Sequence, residues 1–192
     1  MKEKKLAVIF PGIGYTADKP LLYYSRKIAA LHGYDEKIMA YTGFPPKIKG
    51  DRARMEQSFR IALEQSLEML KDVDFSEYED VLFIGKSIGT IVAAKIALES
   101  SAKDKIRQVL YTPLEDTFLF PIGKAIAFTG DDDPWVGREK SRIFELCEER
   151  KIPCSLIPYA NHSLESKDPF ADMKELHRIM KETERFISED NL

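Results

Sequence analysis

The sequence predicts an α/β protein: one mostly parallel sheet of about six strands, with helices on both faces. Three observations lead there. Short apolar runs alternate with longer segments of helical period from residue 5 to residue 188. The runs are nearly continuous in hydrophobicity, as strands buried on both faces require. The segments between them are mostly long enough for the crossover that two parallel neighbours need.

The elements follow in order. Residues 5–10 (Lys-Leu-Ala-Val-Ile-Phe) form a buried strand stopped by Pro11-Gly12. A helix spans 19–32, with Pro20 in its first turn and Gly33 just past its end. Residues 36–42 read as the second strand, and 43–50 as a loop of Pro, Gly and Lys. In the helix at 51–72, Met55, Phe59, Leu63, Leu67 and Leu70 recur at spacings of three and four, which builds one stripe. Val81-Leu82-Phe83-Ile84 is a central strand. The helix at 88–100 has almost no polar face and is therefore itself buried. Residues 106–111 and 124–129 are strands, joined by a link at 112–123 that holds two prolines and no clear helix. A helix at 138–150, a last strand near 153–158 and a closing helix at 170–188 complete the chain. The closing helix carries Met173, Leu176, Met180, Thr183 and Ile187 on one side.

Length and composition bound the function. The 192 residues suit one domain, 1–192, with a sizeable core. A formal net charge of −3, with basic residues scattered among acidic ones, gives no polyanion-binding surface and so no nucleic-acid partner. The two cysteines, Cys147 and Cys154, suggest neither a disulfide framework nor a zinc site, and fit a reducing compartment. The apolar run after the basic N-terminus is too short for a signal peptide, and no stretch is long enough to cross a bilayer. A cytoplasmic protein without membrane insertion, metal or cofactor is the expectation.

Gly85-Lys86-Ser87-Ile88-Gly89 carries the strongest chemical signal. It fits G-x-S-x-G, a sharp strand-to-helix turn that exposes a serine hydroxyl, and here it follows a buried strand and opens a helix. The same Gly-Lys-Ser could end a phosphate-binding loop. That loop needs a glycine five positions before Gly85, where Asp80 stands, and a flexible approach where Val81–Ile84 read as strand. A serine needs a base. Of three histidines, His32 ends the first helix and His177 lies inside the last. His162 follows the last strand, where ligand sites form in open α/β sheets. The base in turn needs an acid, and Asp131-Asp132-Asp133 follows the fifth strand. Like charges so close cannot all serve, so at least two face water. An oxyanion would be held by the Ile88 amide, next to the serine, and by one from the turn Pro11-Gly12-Ile13-Gly14.

These residues make the chain similar to the α/β-hydrolase family over nearly its full length. Ser87, Asp133 and His162 stand in the family's chain order, each after a strand. The acid turn resembles the family's G-x-x-D-x-x-V pattern through Gly130, Asp133 and Val136, and that match selects Asp133. Pro134 biases it to an extended conformation. Pro11-Gly12-Ile13-Gly14 is similar to the His-Gly oxyanion turn, with Pro11 in place of histidine, and implies Ile13 as the second amide. The usual first hairpin and the cap are missing, so the likeness is to the small, lidless, dienelactone-hydrolase-like or lysophospholipase-like branches.

The resemblance implies the strand order 2-1-3-4-5-6 and a serine hydrolase acting on a small carboxylic ester or thioester through an acyl-enzyme. Tyr15, Leu114, Phe118 and Trp135 are candidates for lining its pocket. The rival expectation is a non-catalytic binding or regulatory protein on the same fold, motivated by the missing cap and by Pro11.

Overall fold

The computed structural model describes residues 4–136 and 142–189. One six-stranded sheet holds β1 (Lys5–Phe10), β2 (Tyr34–Ile38), β3 (Asp80–Lys86), β4 (Ile106–Tyr111), β5 (Ala125–Gly130) and β6 (Cys154–Ile157). Every neighbouring pair is parallel and the order is β2-β1-β3-β4-β5-β6, as expected. The described helices are α1 (Pro20–Leu31), α2 (Arg52–Leu70), α3 (Ile88–Glu99), α4 (Arg142–Glu149) and α5 (Pro169–Ser188). The beginning of the helix expected at 138–150 lies outside the described residues.

Side-chain alternation along the strands feeds two cores. Ala7, Ile9, Leu82 and Ile84 point to the side of α1 and α5. Leu6, Val8, Phe10, Val81 and Phe83 point to the side of α2 and α3. All seven residues of β3 are buried, which makes it the central strand. Helix α3 buries nine of its twelve residues, as its unbroken hydrophobicity demands.

Two elements differ from the expectation. Strand β2 sits earlier, at Tyr34–Ile38, directly after the left-handed Gly33, and its middle residues Asp35 and Glu36 are exposed. It is an edge strand with charged outer positions, a pattern that hides it from an apolar-run reading. The chain then leaves the sheet, and the backbone of Thr42 binds the Gln65 side chain instead. Helix α2 buries Ser58, Ala62, Ser66 and Leu70, while Leu67 stays 47% exposed. Small residues four apart let α2 lie close against α3. The larger Phe59 and Leu63 pack on the flank of that line.

At the N-terminal end of the sheet, a buried ion network ties the last helix down. Arg107 of β4, 1% exposed, donates from Nη2 (2.5 Å) and Nε (3.2 Å) to Asp80, the first residue of β3. Tyr34 donates its hydroxyl to Asp80 and accepts from Arg107. The remaining guanidinium donors reach the carbonyls of Phe186, Ile187 and Glu189 at the end of α5.

Candidate active site

The turn from β3 into α3 is built for close approach. Ser87 has φ 55° and ψ −125°, a region that costs energy for a residue with a Cβ. Its amide donates to Tyr111 O at 3.0 Å in the β4 ladder, and its carbonyl accepts from Thr90 Oγ1 at 2.6 Å. A Cβ at Gly89 would stand 2.0 Å from the carbonyl oxygen of Phe10, so only glycine lets the start of α3 press against the end of β1. A Cβ at Gly85 would meet Thr90 Cα at 2.9 Å.

The acid arrives from the end of β5 and the histidine from the end of β6. The Asp133 Oδ2 to His162 Nδ1 distance is 2.7 Å, and His162 Nε2 lies 2.8 Å from Ser87 Oγ. With Nδ1 protonated, His162 donates to the aspartate and leaves Nε2 free to accept from the serine. The three aspartates divide their work. Asp133 is 3% exposed, and its other oxygen accepts from the Trp135 amide at 2.9 Å. Asp131 accepts from the Tyr159 amide, and Asp132 is exposed. A Cβ at Gly130 would fall 2.1 Å from Ala160 O, so glycine there brings the acid turn against the histidine loop. The Trp135 ring stacks on the imidazole at 5.4 Å and 30°. Burial holds the His162 pKa below its usual 6.5, against the raising pull of Asp133.

The turn after β1 lies alongside. Two backbone bonds between Gly12 and Tyr15, 3.1 and 3.3 Å, close it. A Cβ at Gly12 would come within 3.3 Å of Ser87 Cβ, so this turn, with Ile13 in it, flanks the serine. Ile88 opens α3 on the serine's other side in the chain.

One charged group here was not singled out from the sequence. Lys86, the residue before the serine, is 1% exposed. Its Nζ donates to Thr112 Oγ1 at 2.6 Å and lies 4.9 Å from the centroid of the Tyr15 ring. Desolvation pulls its pKa down to about 7, with Asp133 and Glu165 opposing through space. The signal was present in the sequence: a lysine ends a strand whose other positions are buried on both faces.

No protein-family model matches the sequence, and no curated protein matches it. Solved structures do. An alpha-beta serine hydrolase homologue from Coxiella burnetii superposes with a TM-score of 0.62 at 15% identity, covering 96% of this chain and 85% of that one. An esterase from Pyrococcus furiosus gives a TM-score of 0.62 at 15% identity, with 97% and 85% covered. A lidless α/β serine hydrolase from Xanthomonas campestris gives 0.57 at 12% identity, with 95% and 80% covered. The chain has the α/β-hydrolase fold.

It is the lidless form of that fold. The link from β4 to β5, where a cap would insert, holds only a 3₁₀ turn at Glu115–Leu119. In this α/β-hydrolase frame the candidate pocket residues separate. Leu114 packs with Ile88 and Ile91, and Ile13, Met55, Phe120 and Trp135 pack against them, an apolar wall beside the serine. Phe118 lies elsewhere, under α4 with Leu110, Val136 and Ile143, its ring facing the Arg150 guanidinium. The 3₁₀ turn explains the exchange, since it sends Phe118 inward and leaves Phe120 on the wall. Tyr15 spends its hydroxyl on the Leu21 amide. It lines a cleft of about 230 Å³ between α1 and α5 with Leu21, Leu164 and Leu176. A larger cleft of about 610 Å³ runs along β5, β6 and α5 and has no residue of the Ser87–His162–Asp133 chain in its lining. Among the described residues no group of three or more His, Cys, Asp or Glu is placed to hold a metal, and no helix is long and apolar enough to cross a membrane.

Proposed function

We propose that the protein is a serine hydrolase that cleaves a small carboxylic ester or thioester through an acyl-enzyme. The observation that carries this is the unbroken chain Asp133–His162–Ser87, with links of 2.7 and 2.8 Å. Nucleophile, base and orienting acid stand within hydrogen-bond reach of one another, the relation nucleophilic catalysis requires. His162 takes the hydroxyl proton as Ser87 Oγ attacks the carbonyl carbon. Asp133 holds the imidazole in the reactive tautomer and stabilises the imidazolium. The amides of Ile13 and Ile88 receive the oxyanion. His162 then returns the proton to the leaving alcohol or thiol, and water repeats the sequence on the acyl-enzyme. The wall of Ile13, Leu114, Phe120 and Trp135 suits an apolar acyl or alcohol group. With no cap above it, binding energy comes from that one wall, which favours small substrates.

Incubation with a fluorophosphonate tests the reading. Ser87 should be modified, and Ser87→Ala should lose both the label and turnover of p-nitrophenyl acetate while keeping its circular dichroism spectrum. Folded wild-type protein that takes no label would overturn it in favour of a non-catalytic binding protein.

A further inference from the structure

The mechanism above leaves one buried group unused, and it stands directly beside the nucleophile. Lys86 lies within the sheet, and burying an ammonium is costly unless it gains a partner. Here the partners are a neutral hydroxyl and a ring face. Both stand just after strands at the edge of the sheet that carries the candidate site. Thr112 is the first residue after β4, held at φ 41°, and its amide bonds to Phe128 O of β5, two residues before Gly130. Tyr15 closes the turn that carries Ile13, and its hydroxyl anchors the first turn of α1. A methionine in place of Lys86 would fill similar space at no electrostatic cost. The amine is thus a poor choice for stability alone.

We propose that Lys86 is a positioning residue of the catalytic centre: its terminal nitrogen ties Thr112 to the Tyr15 turn that carries the Ile13 amide, and its charge acts through space on the Asp133–His162 pair. The proposal rests on the hydrolase reading for its catalytic meaning, though not for its electrostatic one. The charged and titratable groups around it are Asp133 from the turn after β5, Glu165 and His162 from the loop after β6, and Tyr15 from the turn after β1. Lys49, from the loop before α2, also acts on His162. Positive charge on Lys86 and Lys49 disfavours the imidazolium, while Asp133 favours it. Lys86 therefore adds to the burial that keeps His162 a free base in the resting enzyme.

Lys86→Met separates this role from a structural one. A lysine kept for stability would make the variant less stable. The expected variant has an unchanged or higher melting temperature. Its kcat should be about tenfold lower with KM within about twofold, a smaller loss than removal of an oxyanion donor outright. The His162 ring titration, followed by NMR, should move to higher pH, and the acid limb of kcat/KM should move with it. A variant with wild-type kcat and an unmoved His162 titration overturns the proposal, as does one that fails to fold. Nitrogen-15 spectra of wild-type lysine side chains need no variant. The Lys86 signal should titrate in the neutral range with a matching inflection in the His162 shift. An ammonium that persists to pH 10, with His162 titrating in one step, also overturns it. Because the NMR experiments need no turnover, a wild-type protein inert to fluorophosphonate but showing this coupling would refute the hydrolase reading alone.

Discussion

The two ends of β3 bury opposite charges and treat them differently. At its start, Asp80 receives the fork of Arg107 and the hydroxyl of Tyr34, and the guanidinium spends its remaining donors on three carbonyls at the end of α5. At its end, Lys86 has one threonine hydroxyl and the face of a tyrosine. A buried charge with every donor satisfied locks elements together, and losing one partner strands the other. A buried charge with few partners holds electrostatic potential in reserve, and that is useful only where chemistry occurs. In parallel sheets chemistry occurs at the carboxyl ends of the strands. The N-terminal edge of this sheet therefore serves as anchor and the C-terminal edge carries the proposed site, within a strand of seven residues.

Substitutions at each end should give opposite signatures. The largest effect falls at the site: Asp133→Asn should keep the fold and lower the rate by on the order of 10⁴, the effect of the wrong histidine tautomer. Asp131→Asn and Asp132→Asn should cost far less, and steady-state turnover of the three variants decides which acid serves. At the anchor, Arg107→Met leaves the Asp80 carboxylate buried without its cation. Urea unfolding should show a loss of about 3–5 kcal/mol, with little change in kcat for whatever fraction remains folded.

Opposite in sign is the pH dependence of Lys86. Its folded pKa of about 7 lies below the ordinary lysine value of 10.5. The unfolded chain therefore holds more protons between those values, so stability rises with pH across that window. Below pH 7 the full burial cost is present, on the order of 5 kcal/mol, and above pH 10.5 it is gone. The stability advantage of Lys86→Met over wild type, measured by denaturant at pH 7 and pH 10, should shrink accordingly. An advantage independent of pH would mean that Lys86 is buried already charged and compensated. Tyr34→Phe should be the mildest change, about 1 kcal/mol for one hydrogen-bonding hydroxyl. Thermal unfolding would show it, and a loss greater than that of Arg107→Met would place more of the anchor's strength in Tyr34 than in the guanidinium.

The same contrast explains what could be seen in the sequence. Strands β1, β3, β4 and β5 announced themselves because burial on both faces leaves a largely apolar run; β6, an edge strand with Leu156 exposed, was read from the alternation of helices and strands. Ser87 and His162 followed from a turn motif and from a position after a strand. Asp133 could be chosen among three neighbours only through the family's acid-turn pattern, since local chemistry treats the three alike. The buried Arg107 was not legible, and Lys86 only through its place at the end of a strand buried on both faces; their partners were not. Whether a long charged side chain is covered depends on residues far along the chain, here Asp80 and α5 for one and Tyr15 and Thr112 for the other. Strand β2 was displaced because an edge strand can carry Asp35 and Glu36 outward. Phe118 and Phe120 differ by two positions in a link whose 3₁₀ turn has no apolar period to betray it.

The anchor also orders events in time. Three of the acceptors that satisfy Arg107 are carbonyls of Phe186, Ile187 and Glu189, and Phe186 and Ile187 have no such geometry until α5 has wound to its end. During synthesis, β3 and β4 leave the ribosome well before those residues do. Until the last turn of α5 emerges, Arg107 has Asp80 and Tyr34 but no acceptors for its Nη1 donors, and the nascent sheet stays open to water at that edge. The final turn of α5 thus closes the last gap in the Arg107 network: a sheet lacking it keeps the Arg107–Asp80 pair but leaves the Nη1 donors facing water.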